Sequence, residues 1–423
     1  MHLMVLGGGL AGVTSAWYLR KAGFDVTVVD RQPDVALETS FANGGQISVS
    51  HPEPWANPGA PLTILRWFGR EDAPLLFRAS KDPAQWRWGA AFLAECLPWR
   101  ARRNTEAIAA LATYSRDCLR NLRVESGIEY PHRKTGILHL FSTHQALARL
   151  AARADELAKL GISTEVCNAE RCMELEPALV HGGRDFLGGL FAADDESGDA
   201  HLFTRALADK ARQAGVKFIL GANIKRIREI EGRIESIDVE HADGWCQQLE
   251  ANAYVLCLGS FSPLLLPPTA ERLPIYPVKG YSITVPISDP SRAPSTSITD
   301  EARRIVFSRL GEHLRVAGTA ELSGFSTAPN PARSHALIDW LERHFPGVGA
   351  IDEVSHWSGL RPATPSNLPI IGRSRLLNLW FNTGHGTLGW TLACGSAASL
   401  AALMSGNAPK PRFPYFGRDT LTR

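Results

Sequence analysis

Residues 2–30 read HLMVLGGGLAGVTSAWYLRKAGFDVTVVD, and the fold follows from how this stretch is read. A short apolar run enters three consecutive glycines. From Leu10 apolar residues recur at helical spacing until Gly23, and the β-branched run that follows ends on an acid, Asp30. Strand, helix and strand within about thirty residues make a β-α-β unit, which predicts a parallel sheet. Gly7, Gly9 and Gly12 fit the G-x-G-x-x-G spacing, with Asp30 eighteen residues beyond Gly12. In that context Gly7 permits the tight turn, Gly9 lets the backbone approach a pyrophosphate, and Gly12 lets helix and strand pack closely. The helix N-terminus offers unpaired N–H groups and a positive dipole end to phosphates. Asp30, followed by Arg31, is placed to accept hydrogen bonds from ribose hydroxyls, which disfavours a cofactor with a 2′-phosphate. This unit alone leaves NAD and FAD both open.

The rest of the chain has the composition of a soluble α/β protein. At 423 residues it exceeds one ordinary hydrophobic core, so two domains are expected. Hydrophobic residues at 44% and charged residues at 21% exclude a disordered or fibrous chain. The formal charge of +2 comes from well-mixed signs and gives no electrostatic case for nucleic acid. Seven cysteines are scattered without C-x-x-C or Cys/His metal spacing, so we expect reduced thiols, no metal and a cytoplasmic setting. The N-terminus has neither the basic region nor the cleavage site of a signal peptide. The uncharged part of the stretch from Leu376 to Pro409 invites comparison with a membrane span. Its first part reads as strand and turn, however, which predicts a buried helix instead. Five of eleven tryptophans (Trp55, Trp67, Trp86, Trp88 and Trp99) fall among Arg66, Arg70, Arg78 and Arg87. That pattern suits either a membrane interface or helix packing.

Beyond the opening unit, Ser40 to Pro61 is rich in Gly, Pro, Ser and Asn and reads as a long loop, a kind that is usually functional. Helical patterns run from about Ala84 to Ser126, YPHRKTGILHLF reads as a hairpin, and HQALARLAARADELAKLG as one amphipathic helix. LFTRALADKARQAG is helical, VKFILGANIKRIREIEGRIESIDVE reads as a strand and a hairpin, and ANAYVLCLGS as a strand entering a turn. KGYSITVPI, RIVFSRL and HLRVAGTAEL are strand-like. LWFNTGHG then leads into a last apolar helix. The expected architecture is α/β: a Rossmann-like cofactor domain (1–60, 190–270 and 355–423) interleaved with a mixed-sheet substrate domain (61–189 and 271–354).

Four segments together carry a resemblance over nearly the whole chain: LETSFANGGQIS, IYPVKGYS, GLRPATPSNLPIIG and NTGHGTLGWTLACGS, with YSRDCL and DESGDAHLFT between them. They resemble the small, FAD-containing subunits of bacterial D-amino acid dehydrogenases, within the D-amino acid oxidase and glycine oxidase superfamily. The resemblance implies noncovalent FAD and a two-domain fold of the D-amino acid oxidase type. It also implies oxidative deamination, with hydride passing from Cα to flavin N5 and the imino acid hydrolysing to a 2-oxo acid and ammonia. Electrons would then pass to a quinone or another respiratory carrier, with peripheral contact at the inner face of the cytoplasmic membrane.

The resemblance places Thr39, Ser40, Asn43, Gly44, Gly45 and Gln46 near the pyrophosphate and flavin, Ile224 by the adenine and Gly259 over the cofactor. Gly384, His385, Gly386, Thr387 and Leu388 would present backbone N–H groups at the start of the last helix, where the dipole stabilises negative charge on the reduced ring. Arg361 matches the clamp for the substrate carboxylate, since a guanidinium forks onto a carboxylate with two parallel hydrogen bonds. Tyr281 is expected to assist it, Lys279 to lie close to the flavin, and His51 to line the pocket. The chain departs from the family pattern at Thr364-Pro365-Ser366-Asn367, where T-P-D-G is expected. Two other readings remain open: a dehydrogenase or oxidase of secondary amines such as sarcosine, proline or hydroxyproline, and a non-catalytic flavoprotein subunit. An NAD-dependent dehydrogenase is a third, and it predicts a colourless protein.

Overall fold

The computed structural model describes residues 1–67 and 73–417, so Arg70 lies outside the described residues. His2–Leu6 and Asp25–Val29 lie side by side in parallel, joined by the helix Leu10–Lys21. They belong to a six-stranded sheet ordered Lys217–Ile219, Asp25–Val29, His2–Leu6, Ala253–Leu256, Leu379–Thr383, Ile370–Arg373, in which only the last pairing is antiparallel. Alternation sorts its side chains. Leu3, Val5, Val26, Val28 and Val255 face one core with the helices, while Met4, Leu6, Val29, Tyr254 and Leu256 face another with the antiparallel strands Ala222–Ile230 and Arg233–His241. Burial on both faces is why these strands read as unbroken apolar runs.

The helical layer contains the opening helix, the long helix Pro98–Ser126, the helix Ala200–Gln213 and the closing helix Gly389–Met404. Gly386–Met404 is long and apolar enough to cross a membrane. Here it is a core element, with Leu392, Ala393, Cys394, Ala397 and Leu400 almost wholly buried. Its approach to the long helix depends on a missing side chain: a Cβ at Gly395 would lie 2.7 Å from Ser115 Cβ, and Gly395 N donates to Ser115 Oγ at 2.9 Å.

A second, mixed sheet has nine strands. Its order is Ser355–Ala363, Tyr276–Pro286, His313–Leu322, Ile305–Leu310, Ser297–Asp300, Ile137–Phe141, Gly188–Ala192, Glu165–Asn168, with Leu75–Phe77 pairing beside His313–Leu322. Tyr281, Ile283 and Val285 pack with Leu337 and Leu341 of the helix Pro331–His344. On the opposite face Ser282 Oγ donates to Ala42 O at 2.7 Å and Arg315 Nη1 to Asn43 O at 3.0 Å, tying the sheet to the loop after the second strand.

Several local expectations change. The segment YPHRKTGILHLF is not a hairpin: His132–Arg133 pairs with Glu196–Gly198, whereas Ile137–Phe141 enters the nine-stranded sheet. Two helices replace the run from Ala84 to Ser126, broken before Pro98, which cannot continue a helix from the preceding turn. The run from His144 likewise divides, into His144–Leu147 and Leu150–Lys159. Ser355–Ala363 and Gly188–Ala192 hydrogen-bond within the nine-stranded sheet, so sheet membership does not follow the sequence division at 190 and 355.

Replacing Gly395 by Val should force the closing and long helices apart. Overpacking of this kind costs about 1–3 kcal/mol, to be read from urea unfolding.

Candidate active site

A cavity of about 1120 Å³ runs between the two sheets, and the N-termini of the opening and closing helices both border it. At the first turn a Cβ on Gly12 would lie 1.8 Å from Gly7 O, so only glycine admits this approach of helix to turn. Gly7 and Gly9 line the cavity, and Leu10 N donates to Ser40 Oγ at 3.1 Å. Asp30 also lines it and braces the turn: Oδ2 accepts from Gly8 N at 2.5 Å and Oδ1 from Gln32 N at 2.7 Å. Burial raises its pKa, against the pull of those two N–H groups. Arg31 sits over the Phe261 ring, 4.0 Å from its centroid, and pairs with Glu38 at 2.6 Å. Arg31, Ile224 and Gly259 all border the cavity.

The loop after the second strand borders it too, but most of its side chains hold the protein together. Thr39 Oγ1 donates to Leu360 O, Asn43 Oδ1 accepts from Gly45 N, and Gln46 Nε2 donates to Ser297 Oγ and Thr299 Oγ1. Ser40 and the loop backbone, Gly44 and Gly45 included, are what remains for a ligand.

At the far turn Gly384 is not among the cavity residues; its backbone reverses beside Thr364 and Ile275. His385, Gly386, Thr387 and Leu388 do line the cavity. His385 points its Nε2 at Ser396 Oγ, 3.0 Å away, and burial lowers its pKa to about 4, leaving a neutral ring.

Arg361 lies opposite Val278 on the face of the nine-stranded sheet that Gly280 shares. Its guanidinium occupies the place of the side chain Gly280 lacks: a Cβ there would be 2.0 Å from Nη1. Nη1 donates to Thr319 O at 3.1 Å, and among the described residues no carboxylate pairs with Arg361. Burial lowers its pKa to about 10. A half-buried guanidinium without a counter-ion is unfavourable, and an anion arriving from the cavity offsets that cost.

Two expected partners are corrected. Lys279 and Tyr281 alternate with Gly280 and so take the other face of the sheet, where Lys279 Nζ donates to Ala328 O and Tyr281 Oη donates to Glu321 at 2.5 Å. Only the backbone at Gly280 and Tyr281 can serve the cavity from this strand.

His51 lines the cavity as one member of a buried network. Its Nε2 is 3.4 Å from Glu301 and its ring stacks on His139 at 5.7 Å. His139 bonds Glu301 at 2.9 Å and Ser50 Oγ at 3.1 Å, and Ser50 Oγ donates to Asp195 at 2.5 Å. Burial opposes ionisation of Glu301, but His51, His139 and Arg304 hold its pKa well below the carboxylate range. The roles of Gly280, Thr319, Glu301, His139 and Asp195 were missed from sequence. Gly280 had a signal, the alternation of VKGYS; the others come together only through long-range pairing.

A cavity with room for a dinucleotide and a guanidinium without a carboxylate partner on its wall suits a flavin-dependent oxidoreductase. The chain belongs to the family of FAD-dependent oxidoreductases known as DAO, whose pattern matches residues 2–403. It is 52% identical, over 98% of its length and 99% of the relative's, to a D-amino acid dehydrogenase of Dechloromonas aromatica. A D-amino acid dehydrogenase of Paramagnetospirillum magneticum is 46% identical over 100% of this chain and 99% of its own. Glycine oxidase from Bacillus cereus shares the fold at 20% identity, with a TM-score of 0.70 over 96% of this chain and 95% of its own. L-proline dehydrogenase from P. horikoshii shares it at 16% identity, with a TM-score of 0.72 over 98% and 95%. The donors present fit FAD: a glycine turn and helix N-terminus for the pyrophosphate, and a second helix N-terminus at the opposite end.

Gly280→Ala should evict the Arg361 guanidinium, raising KM as loss of the arginine would while the flavin absorbance of the purified protein persists. Because the native pKa of His385 is depressed, the unfolded chain binds more protons between about pH 6.5 and 4, so the contribution of the neutral ring is full above 6.5 and is lost as pH falls through 4. Urea unfolding across that window should show the wild type losing about 2–3 kcal/mol relative to His385→Asn.

Proposed function

We propose that the protein oxidises D-amino acids to 2-oxo acids and ammonia and passes the electrons to a lipid-soluble quinone. The observation that carries the substrate class is Arg361, a half-buried guanidinium with no carboxylate of its own among the described residues, seated on Gly280 at the cavity wall. Preference for the D hand is supported by the names of the relatives.

Bound FAD supplies the hydride acceptor for the Cα hydrogen. Arg361 forks two N–H groups onto the substrate carboxylate and so fixes one substituent of Cα. The sheet face around it excludes water, which strengthens that ion pair. The amine reacts as its neutral form, and the imino acid that leaves takes up water to give the 2-oxo acid and ammonia. His51 is tied to Glu301, so we assign it to the electrostatics of the pocket wall rather than to proton abstraction.

A lipid-borne acceptor is supported by the helices Ala60–Trp67 and Pro83–Glu95. Ile64, Trp67, Phe92 and Leu93 border the cavity, while Leu62, Leu65, Trp86 and Leu93 are exposed, with Leu97 and Trp99 just beyond. One pair of helices thus joins the cavity wall to an apolar outer surface, the form expected of a site that meets a membrane interface. The tryptophans divide between the two readings: Trp88 is buried, with Nε1 donating to Ala363 O, whereas Trp86 and Trp99 are outside.

Anaerobic mixing with paired D- and L-amino acids, D-proline and sarcosine should bleach the flavin band with D-amino acids alone, and a soluble quinone should restore the band faster than oxygen does. Bleaching by sarcosine or D-proline in preference to D-alanine would make the protein a secondary-amine dehydrogenase. No bleaching by any of them would make its flavin structural. Arg361→Ala should raise KM by roughly 30- to 4,000-fold, the worth of one partner in a desolvated charge pair, with FAD retained.

A further inference from the structure

We propose that Thr319 is a substrate-binding residue whose hydroxyl donates to the carboxylate held by Arg361, and that the backbone is kept in an unfavourable conformation to place it there. This rests on the reading of Arg361 as the carboxylate clamp.

The strand His313–Leu322 pairs with Tyr276–Pro286 in a register that slips by one residue, from Tyr281 opposite Gly318 to Lys279 opposite Glu321. The extra residue makes a bulge, and bulges re-aim groups beside active sites. Thr319 sits in it with a φ of +55°. That is the left-handed region, an outlier for a β-branched residue and free only to glycine. The chain does place a glycine one position earlier, at Gly318, where a Cβ would meet Ile305 Cγ1 at 2.8 Å. Glycine is therefore present where space demands it and absent where the backbone angle does.

The bulge turns the Thr319 carbonyl to Arg361 Nη1 at 3.1 Å. A glycine would present the same carbonyl without strain, so this contact does not account for threonine. What threonine adds is a hydroxyl, and Oγ1 is buried without a hydrogen-bond partner in a residue that lines the cavity. Among the described residues one other cavity-lining residue has such an atom, Asn382 Oδ1, on the strand Leu379–Thr383 of the other sheet. An unmade hydrogen bond to a buried hydroxyl is costly, so native proteins nearly always supply a partner. Thr319 borders the cavity, and it is there that we place the partner. The group next to Thr319 is a guanidinium, which selects an anion, and an ionised carboxylate accepts hydrogen bonds and donates none. The hydroxyl is the donor.

The test uses the FAD-loaded enzyme and the variants Thr319→Ser, Thr319→Val, Thr319→Gly and Arg361→Lys. The readouts are KM and kcat with a saturating dye acceptor, the competitive inhibition constant of propionate (a carboxylate without an amine), and Tm. Thr319→Val and Thr319→Gly should each raise KM and the propionate constant about tenfold or more, the worth of a hydrogen bond to a charged group, with kcat within about threefold. Thr319→Ser should bring both constants back to within about twofold of wild type. Thr319→Gly should also raise Tm, since glycine relieves the backbone.

A higher Tm in Thr319→Gly with both constants unchanged would overturn the proposal. So would a raised substrate KM with an unchanged propionate constant in Thr319→Val, which would assign the contact to the amine. If Arg361→Lys leaves the propionate constant unchanged, the clamp reading itself has failed. If it raises that constant and Thr319→Val does not, only the role of Thr319 has failed.

Discussion

The opening and closing helices lie side by side and end at the same cavity, and the site depends on this placement. Thr14 Oγ1 reaches Ala393 O across the pair, and Asn382 Nδ2 donates to Ser15 Oγ beneath it. Each helix N-terminus carries roughly half a positive charge on unpaired N–H groups. Arg361 adds a cation that no carboxylate pairs with among the described residues, whereas Asp30 at the first turn and Arg31 beside it are already hydrogen-bonded or paired. Such a cavity is stable with anions in it. A cofactor phosphate and a substrate carboxylate are anions of the kind that would meet that demand, so on the proposed reading binding and catalysis are two uses of one electrostatic arrangement.

The cofactor half was legible because its chemistry lies in consecutive residues. A glycine turn between a strand and a helix needs nothing from elsewhere in the chain, and Gly12 against Gly7 confirms the reason for that glycine as the spacing implied it. The closing helix was legible for a related cause: the polar turn at 382–388 shortened the apolar run and marked it as a core helix. Asn367 shows a departure that the fold absorbs. It stands where the family pattern has glycine, adopts a φ of +60° that asparagine tolerates, and accepts a hydrogen bond from Trp55 N at 3.1 Å, which glycine has no side chain to do.

The substrate half was less legible, and Lys279 and Tyr281 show why. Attention to functional side chains picked the two chemically rich residues of VKGYS, whereas strand alternation puts them together on the face away from Arg361. The residue that makes room for Arg361 is the glycine between them, through the volume it leaves empty. His51 was found as a loop histidine, but its partners come from a strand near residue 139, a turn at 301 and a segment at 195. No spacing rule relates those positions, since they meet only when the two sheets close on the loop. The tryptophan-rich segment divided for a similar reason: helical periodicity sends Trp86 and Trp88 to opposite sides of one helix.

Backbone strain in this molecule is distributed by the same logic. Five non-glycine residues have positive φ among those described: Ala36, Glu231, Arg304, Thr319 and Asn367. Glu231 belongs to the two-residue turn it shares with Gly232 between adjacent strands, where such angles match the twist of the hairpin. Ala36, Arg304 and Thr319 line the cavity, and Asn367 ties the segment bordering it at Trp55. Such angles are costly, and they persist where the packing on either side over-determines them. They concentrate around the same cavity that the glycine turn borders, a coincidence reached from backbone geometry independently of the sequence motif.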